Sequence, residues 1–149
     1  MLQRKEITDG ICTGPQPQDK DLQDLRDAGF GTVVNLRVAH EEEGQLAPED
    51  EGDQVRELGM SYLHIPVTMK QIRPEQVEEF SNALHVLDGP VYVHCKSGTR
   101  ASIFAILHTA VEKGWSREET IGKAQEAGIK ADKPEIIEFM KQYVQQHAG

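Results

Sequence analysis

Two short runs, Thr32-Val33-Val34-Asn35-Leu36 and Val91-Tyr92-Val93, carry almost no polar alternation, so each reads as a strand buried on both faces. A sheet covered on both sides needs helices above and below, and the stretches between these runs supply them. Asp19 to Ala28 places Leu22 and Leu25 on one helical face, with Gly29 just past its end. A helix from about Pro48 to Leu58 precedes a strand expected over Ser61 to Val67. Arg73-Pro74-Glu75 opens a long helix, because proline fits the first turn and acids suit its positive end. Val77, Phe80, Leu84 and Leu87 form its inward stripe, and Asp88-Gly89-Pro90 is expected to stop it.

The flanks complete the pattern. Residues 5 to 14 alternate loosely and end in Gly14-Pro15-Gln16-Pro17, predicting one or two short edge strands and a turn. From Arg100 to Lys113, Ile103, Phe104, Ile106, Leu107, Ala110 and Val111 cover most of a helix circumference, which predicts the central, best-buried helix. Ser116 with Glu119 forms a capping box for a fifth helix, and Asp132 followed by Pro134 starts a sixth. Ile136, Ile137, Met140, Tyr143 and Val144 give that last helix its inner face. The expectation is an α/β fold, a mostly parallel central sheet of four to five strands flanked by about six helices. At 149 residues the chain suits one domain, 1–149.

Charge narrows the partners. The formal charge is −9, and residues 41 to 57 hold eight acids against the one base Arg56. This run reads as a solvated surface loop and helix start. Elsewhere the charges nearly balance, leaving no basic stripe for a nucleic acid. No apolar run is long enough for a membrane helix, and Met1-Leu2-Gln3-Arg4-Lys5-Glu6 lacks the apolar core of a secretion signal. A cytoplasmic location is expected, where a reducing compartment keeps Cys12 and Cys95 as thiols. His64, His85 and His108 lie at spacings that suggest no metal site, and no cofactor is expected. Tyr62 and Trp115 read as packing residues.

The chemistry concentrates in His94-Cys95-Lys96-Ser97-Gly98-Thr99-Arg100. A strand that turns tightly into a helix presents backbone N–H groups at the strand's C-terminal end, where ligands of open α/β sheets gather. Gly98 lets consecutive amides curl toward one point, a nest for an anion. Such surroundings can lower a thiol pKa from about 8.5 to roughly 3.5–7.5, which would make Cys95 a thiolate nucleophile. Arg100 adds a planar, permanently charged fork suited to a tetrahedral oxyanion. Lys96 adds positive potential at the rim.

These residues carry a resemblance. Val91-Tyr92-Val93-His94-Cys95-Lys96-Ser97-Gly98-Thr99-Arg100 resembles the signature of the cysteine-based phosphatases, whose dual-specificity members share this order of elements. The likeness spans roughly residues 5 to 115 and includes Val33-Val34-Asn35-Leu36-Arg37 and Ile65-Pro66-Val67. More narrowly, Gly14-Pro15-Gln16-Pro17 and the short loop are similar to the bacterial beta-lactamase hydrolase-like family, described as phosphatase-like and in places fused to persulfide-oxidising enzymes. The resemblance implies a phosphatase in which Cys95 forms a thiophosphate intermediate and residues 96 to 100 hold the phosphate. His94 and Ser102 would support the thiolate, and the substrate would be a phosphorylated protein or a small aryl phosphate.

The sequence departs from that pattern in three places. The family places one residue more between cysteine and arginine than the four found here, and rhodanese-type sulfurtransferases have loops of this shorter length. The family's general acid is an aspartate just after an upstream strand, where this chain reads Ile65-Pro66-Val67-Thr68-Met69-Lys70. The hydroxyl residue after the arginine is Ala101, which leaves Thr99 or Ser102 as substitutes. A replacement acid could come from Glu41, Glu42 or Glu43, which follow His40 after a strand end. Losing the acid forfeits about 10²- to 10⁴-fold in leaving-group expulsion. A phenol, with a pKa of roughly 10, leaves more readily without one, so phosphotyrosine is expected over phosphoserine. Two alternatives stay open: sulfur transfer from a low-molecular-weight persulfide through Cys95, and non-catalytic binding of phosphorylated ligands.

Overall fold

The computed structural model describes residues 2–87, 89–129 and 134–147. Among these residues five strands form one sheet: β1 Lys5–Thr8, β2 Ile11–Gly14, β3 Thr32–Asn35, β4 Ser61–His64 and β5 Val91–His94. Their spatial order is β1-β2-β5-β3-β4. β1 runs antiparallel to β2, and the pairs β2·β5, β3·β5 and β3·β4 are parallel. The expected edge strands are therefore split, because only β1 is at an edge and β2 sits inside against β5. The strand expected over Ser61 to Val67 ends at His64; beyond it Ile65 and Val67 still donate their amides to the Asn35 and Leu36 carbonyls.

Among the described residues six α-helices cover the sheet: α1 Asp19–Asp27, α2 Pro48–Glu57, α3 Pro74–Leu84, α4 Thr99–Lys113, α5 Arg117–Glu126 and α6 Pro134–His147. Alternation along the strands divides the core in two. Val33 and Tyr92 point to one side, where Leu22, Leu25 and Val55 of α1 and α2 meet them. Val34, Val91 and Val93 point to the other, against Val77 and Phe80 of α3, Ile103 to Leu107 of α4 and Met140 of α6. β3 and β5 are thus buried on both faces, which is why their sequences lack polar alternation. α4 is buried from Ala101 to Ala110, as its composition predicts, but Val111 lies at its surface.

Three local details differ from the sequence expectation. α3 stops at Leu84, where the His85 amide bonds the Asn82 carbonyl, so Leu87 lies beyond the helix; Asp88 is outside the described residues. The Ser116 capping box forms, with Glu119 N donating to Ser116 Oγ at 3.0 Å. Asp132, expected to open the sixth helix, is outside the described residues, whose α6 begins at Pro134. Among the described residues no helix is long and apolar enough to cross a membrane.

Candidate active site

The C-terminal ends of β2, β3 and β5 meet at one point, with Gly14, Asn35 and His94 in register across the three strands. β5 runs directly into Cys95, and the chain turns into α4 through Gly98, whose φ of 103° is the left-handed region that favours glycine. The turn brings the Gly98 amide to within 3.1 Å of Cys95 Sγ, so the main chain donates to the sulfur. Its back rests on β2, where a Cβ at Gly98 would stand 3.5 Å from the Gly14 backbone. Gly14 has no room for a side chain at all, since a Cβ there would lie 2.5 Å from the Tyr92 hydroxyl and 2.7 Å from the Gln3 carbonyl.

Arg100, one residue into α4, faces the same sulfur. Nη1 donates to the Val67 carbonyl at 2.7 Å, and Nη1 and Nη2 together grip the two carboxylate oxygens of Glu41. Burial works against the guanidinium's charge, but Glu41 and Cys95 more than offset it and hold its pKa above the ordinary value. The segment where an aspartate was looked for therefore gives Arg100 a backbone carbonyl instead.

Glu41, read from the sequence as a possible acid, is an ion-pair partner here. It accepts from Arg100, from Arg37 Nε at 3.1 Å and from the Val38 amide at 2.9 Å. Burial raises its pKa, and these hydrogen bonds outweigh that to bring it down to about 2. A carboxylate so held keeps no proton to deliver at neutral pH. Glu42 is exposed and pairs with Lys96 Nζ at 2.9 Å, which lowers its pKa, and Glu43 is exposed on the same loop.

Ser102 also differs from its expected part. Its hydroxyl shares a hydrogen bond of 3.1 Å with Thr13 Oγ1 of β2, so it ties the base of α4 to the sheet. Ser97 is exposed and Thr99 is half-buried at the loop's outer flank. Cys95 itself is 1% exposed, yet its sulfur is not sealed in apolar packing, because it meets the Gly98 amide and the Arg100 guanidinium. Cys12, the other free thiol, is half-buried on β2, and burial pushes its pKa up.

Behind the loop lies a polar network that the sequence reading missed. His94 Nε2 donates to Glu51 Oε2 at 2.6 Å, and both side chains are fully buried. Gln16 donates to the other Glu51 oxygen and accepts from Arg37 Nη1 at 3.0 Å. The Tyr62 hydroxyl accepts from Asn35 Nδ2 at 3.0 Å; burial and then the nearby Glu51 push its pKa up, so it is no simple packing residue. The acidic run is therefore not uniformly solvated, since Glu51 is fully buried. Helical spacing held the clue: Pro48, Glu51, Gly52 and Val55 stand at i, i+3, i+4 and i+7, so Glu51 falls in the buried stripe of α2. Among the described residues no cluster of His, Cys, Asp and Glu could hold a metal ion.

The profile of the family described as Beta-lactamase hydrolase-like protein, phosphatase-like domain, matches residues 3–112. A beta-lactamase hydrolase-like protein of Agrobacterium fabrum is 32% identical over 106 residues, 71% of this chain and 25% of that protein. The chain thus spans about a quarter of the length of the curated relatives it matches. The crystal structure of a candidate phosphatase from Neisseria meningitidis superimposes with a TM-score of 0.77 at 26% identity, covering 93% of this chain and 96% of that one. A cysteine-to-serine variant of TpbA from P. aeruginosa, in complex with pTyr, shares the fold with a TM-score of 0.71 at 16% identity, covering 97% and 91%.

Proposed function

Because the chain belongs to the phosphatase-like domain family of the beta-lactamase hydrolase-like proteins, we propose that it is a cysteine-dependent phosphatase acting on aryl phosphates such as phosphotyrosine. The observation that carries this reading is the convergence of Cys95 Sγ, the Gly98 amide and the Arg100 guanidinium at the start of α4. A sulfur nucleophile, a main-chain donor and a fixed positive fork are the parts that phosphoryl transfer through a thiol requires.

In the proposed reaction the Cys95 thiolate attacks phosphorus, the bond from phosphorus to the aryl oxygen breaks, and the phenolate leaves with the electron pair. Water then attacks the phosphocysteine, the S–P bond breaks, and orthophosphate departs as the thiolate returns. Glu41 holds Nη1 and Nη2 of Arg100, which leaves Nε and the second N–H of Nη2 for the phosphoryl oxygens. Glu41 is thus a positioning residue for Arg100. With its proton lost to that role, the leaving group must carry its own negative charge, which favours a phenol over an alkyl alcohol.

Para-nitrophenyl phosphate tests the core of the reading. Wild-type turnover is expected, and Cys95→Ser should lose at least about 10⁴-fold, since the nucleophile itself is removed. Wild-type protein that releases no nitrophenol would end the proposal. Phosphotyrosine peptides should be cleaved faster than phosphoserine peptides by about 10²-fold or more, the contribution of an absent general acid. Equal rates would contradict the acid-free mechanism.

One observation favours a second reading. Glu41 is paired with Arg100 and Glu42 with Lys96, and sulfur transfer needs no acid to protonate an alcohol. In that case Cys95 takes a sulfane sulfur from a low-molecular-weight persulfide and passes it to an acceptor thiol. Glutathione persulfide with an acceptor thiol, assayed beside the aryl phosphate and again with Cys95→Ser, separates the two.

A further inference from the structure

Gly14-Pro15-Gln16-Pro17 leaves the end of β2 against the Cys95 loop, and its backbone is held on both sides of Gln16. The Pro15 carbonyl accepts from the Tyr92 hydroxyl at 2.7 Å, and each proline fixes its own φ. From this fixed base the half-buried Gln16 side chain uses both ends of its amide. Nε2 donates to Glu51 Oε1 and to the Pro17 carbonyl at 3.2 Å, while Oε1 accepts from Arg37 Nη1 at 3.0 Å. An amide can donate to a carboxylate and accept from a guanidinium at once, which an ionised side chain cannot.

Gln16 therefore joins two arms that end at the same sulfur. One is Glu51 with His94, the residue before Cys95. The other runs from Arg37 Nε to Glu41 Oε2 at 3.1 Å, and from both Glu41 oxygens to Arg100. Two guanidinium groups thus share one carboxylate. Arg37 is 2% exposed, so its donors depend on protein acceptors. Without the Gln16 oxygen, Nη1 is left buried and unsatisfied, and the acceptors at hand are Glu41 and Glu42, 3.1 and 3.8 Å from the other nitrogens. Turning toward them draws Glu41 away from Arg100.

We propose that Gln16 is a positioning residue of the Cys95 site: by tying Arg37 to the buried Glu51, it keeps Glu41 on Arg100 and the guanidinium facing the sulfur. The inference deepens the phosphatase reading and rests on its pairing of Cys95 with Arg100.

A double-mutant cycle tests the path. Gln16→Met keeps the length of the side chain and removes its hydrogen bonds, and Glu41→Ala removes the link to Arg100. On para-nitrophenyl phosphate, Gln16→Met should lower kcat/KM about tenfold in the wild-type chain and less than about twofold in the Glu41→Ala chain, where the path is already cut. Alkylation of Cys95 by iodoacetamide, told from that of Cys12 by peptide mass spectrometry, should slow about threefold or more with the same dependence on Glu41, as the thiolate loses its cation.

Gln16→Glu adds a pH signature, and it replaces Gln16→Met in the cycle if thermal melts show that the latter does not fold. A protonated carboxyl donates to Glu51 and accepts from Arg37 as the amide does, whereas an ionised one faces Glu51 as a like charge. Its rate relative to wild type should be highest in acid and decline by about fivefold or more between about pH 5 and pH 8.

Equal losses in both backgrounds, no loss at all, or faster alkylation would each overturn the role, because these mark independent packing or a loosened loop. A ratio of Gln16→Glu to wild type that stays flat with pH would do the same. Wild type that leaves para-nitrophenyl phosphate intact, with alkylation still coupled through Glu41, refutes the phosphatase reading and keeps the positioning role. Cys95-dependent turnover with additive losses does the reverse.

Discussion

Two histidine–glutamate pairs of equal length stand at opposite ends of α4. His94 and Glu51 meet at 2.6 Å just ahead of its first turn, and His85 and Glu112 meet at 2.6 Å near its last. Twelve residues separate Arg100 from Glu112, so the two sites are about 18 Å apart along the helix. The first pair is fully buried, whereas His85 and Glu112 are 57% and 48% exposed. Distance alone therefore says little about what either contributes. In water the ions are already solvated and the pair adds about 0–1 kcal/mol. In the interior the mutual contact replaces lost hydration, and removing one partner strands the other.

The surroundings sharpen the contrast. Glu51 is also held by Gln16 and neighbours Tyr62, so its orientation is fixed by three elements. The distal pair sits beside His108, whose Nδ1 shares a hydrogen bond with Ser81 Oγ, and beside the stacked rings of Tyr143 and His147. Burial and then the neighbouring His85 lower the His108 pKa, with Glu112 pulling the other way. Of these groups the His85–Glu112 pair is the exposed part, which water can replace, while the proximal network is the floor of the nucleophile's loop.

Substitution can break this contrast. Glu51→Ala should have the largest effect, about 3–5 kcal/mol lost in urea unfolding, because His94 is left buried without its acceptor. A loss under about 1 kcal/mol would mean that burial makes no difference between the pairs. Glu41→Gln should come next, with kcat/KM on para-nitrophenyl phosphate reduced about 10- to 100-fold as Arg100 loses its anchor.

The same variant tests the sign of a pH effect. The Glu41 pKa falls from 4.5 to about 2 on folding, so its stabilisation is present above pH 4.5 and is lost as pH drops toward 2. Wild type should therefore exceed Glu41→Gln by about 1–2 kcal/mol at neutral pH, a gap that closes in acid. Glu112→Gln should change stability least, within about 1 kcal/mol, and leave kcat/KM unaltered. A larger loss would promote the distal pair to a structural role that its exposure does not suggest.

Much of this molecule was legible before any coordinates. Strand and helix order follow from β-branched runs and helical stripes, and those stripes depend on burial, which acts residue by residue. Cys95, Gly98 and Arg100 could be found because they are close in sequence and one turn brings them together. Glu51 and Gln16 could not be assigned in that way, since they lie 43 and 78 positions from His94 and are joined to it only by the sheet. Glu41 could be read only as one of three possible acids, because a sequence shows that a carboxylate is available and not that it faces Arg100. The hydrogen bond of Ser102 to Thr13 is hidden from the sequence for the same reason, as Thr13 is on β2.

The grip of Glu41 on the outer edge of Arg100 has a kinetic consequence. Glu41 and the Val67 carbonyl take the N–H groups of that edge and leave the rest of the guanidinium turned toward Cys95, so an anion arriving at the sulfur need not open the salt bridge. Encounter is then governed by diffusion against a negatively charged protein, and moderate salt should quicken arrival by muting the long-range repulsion.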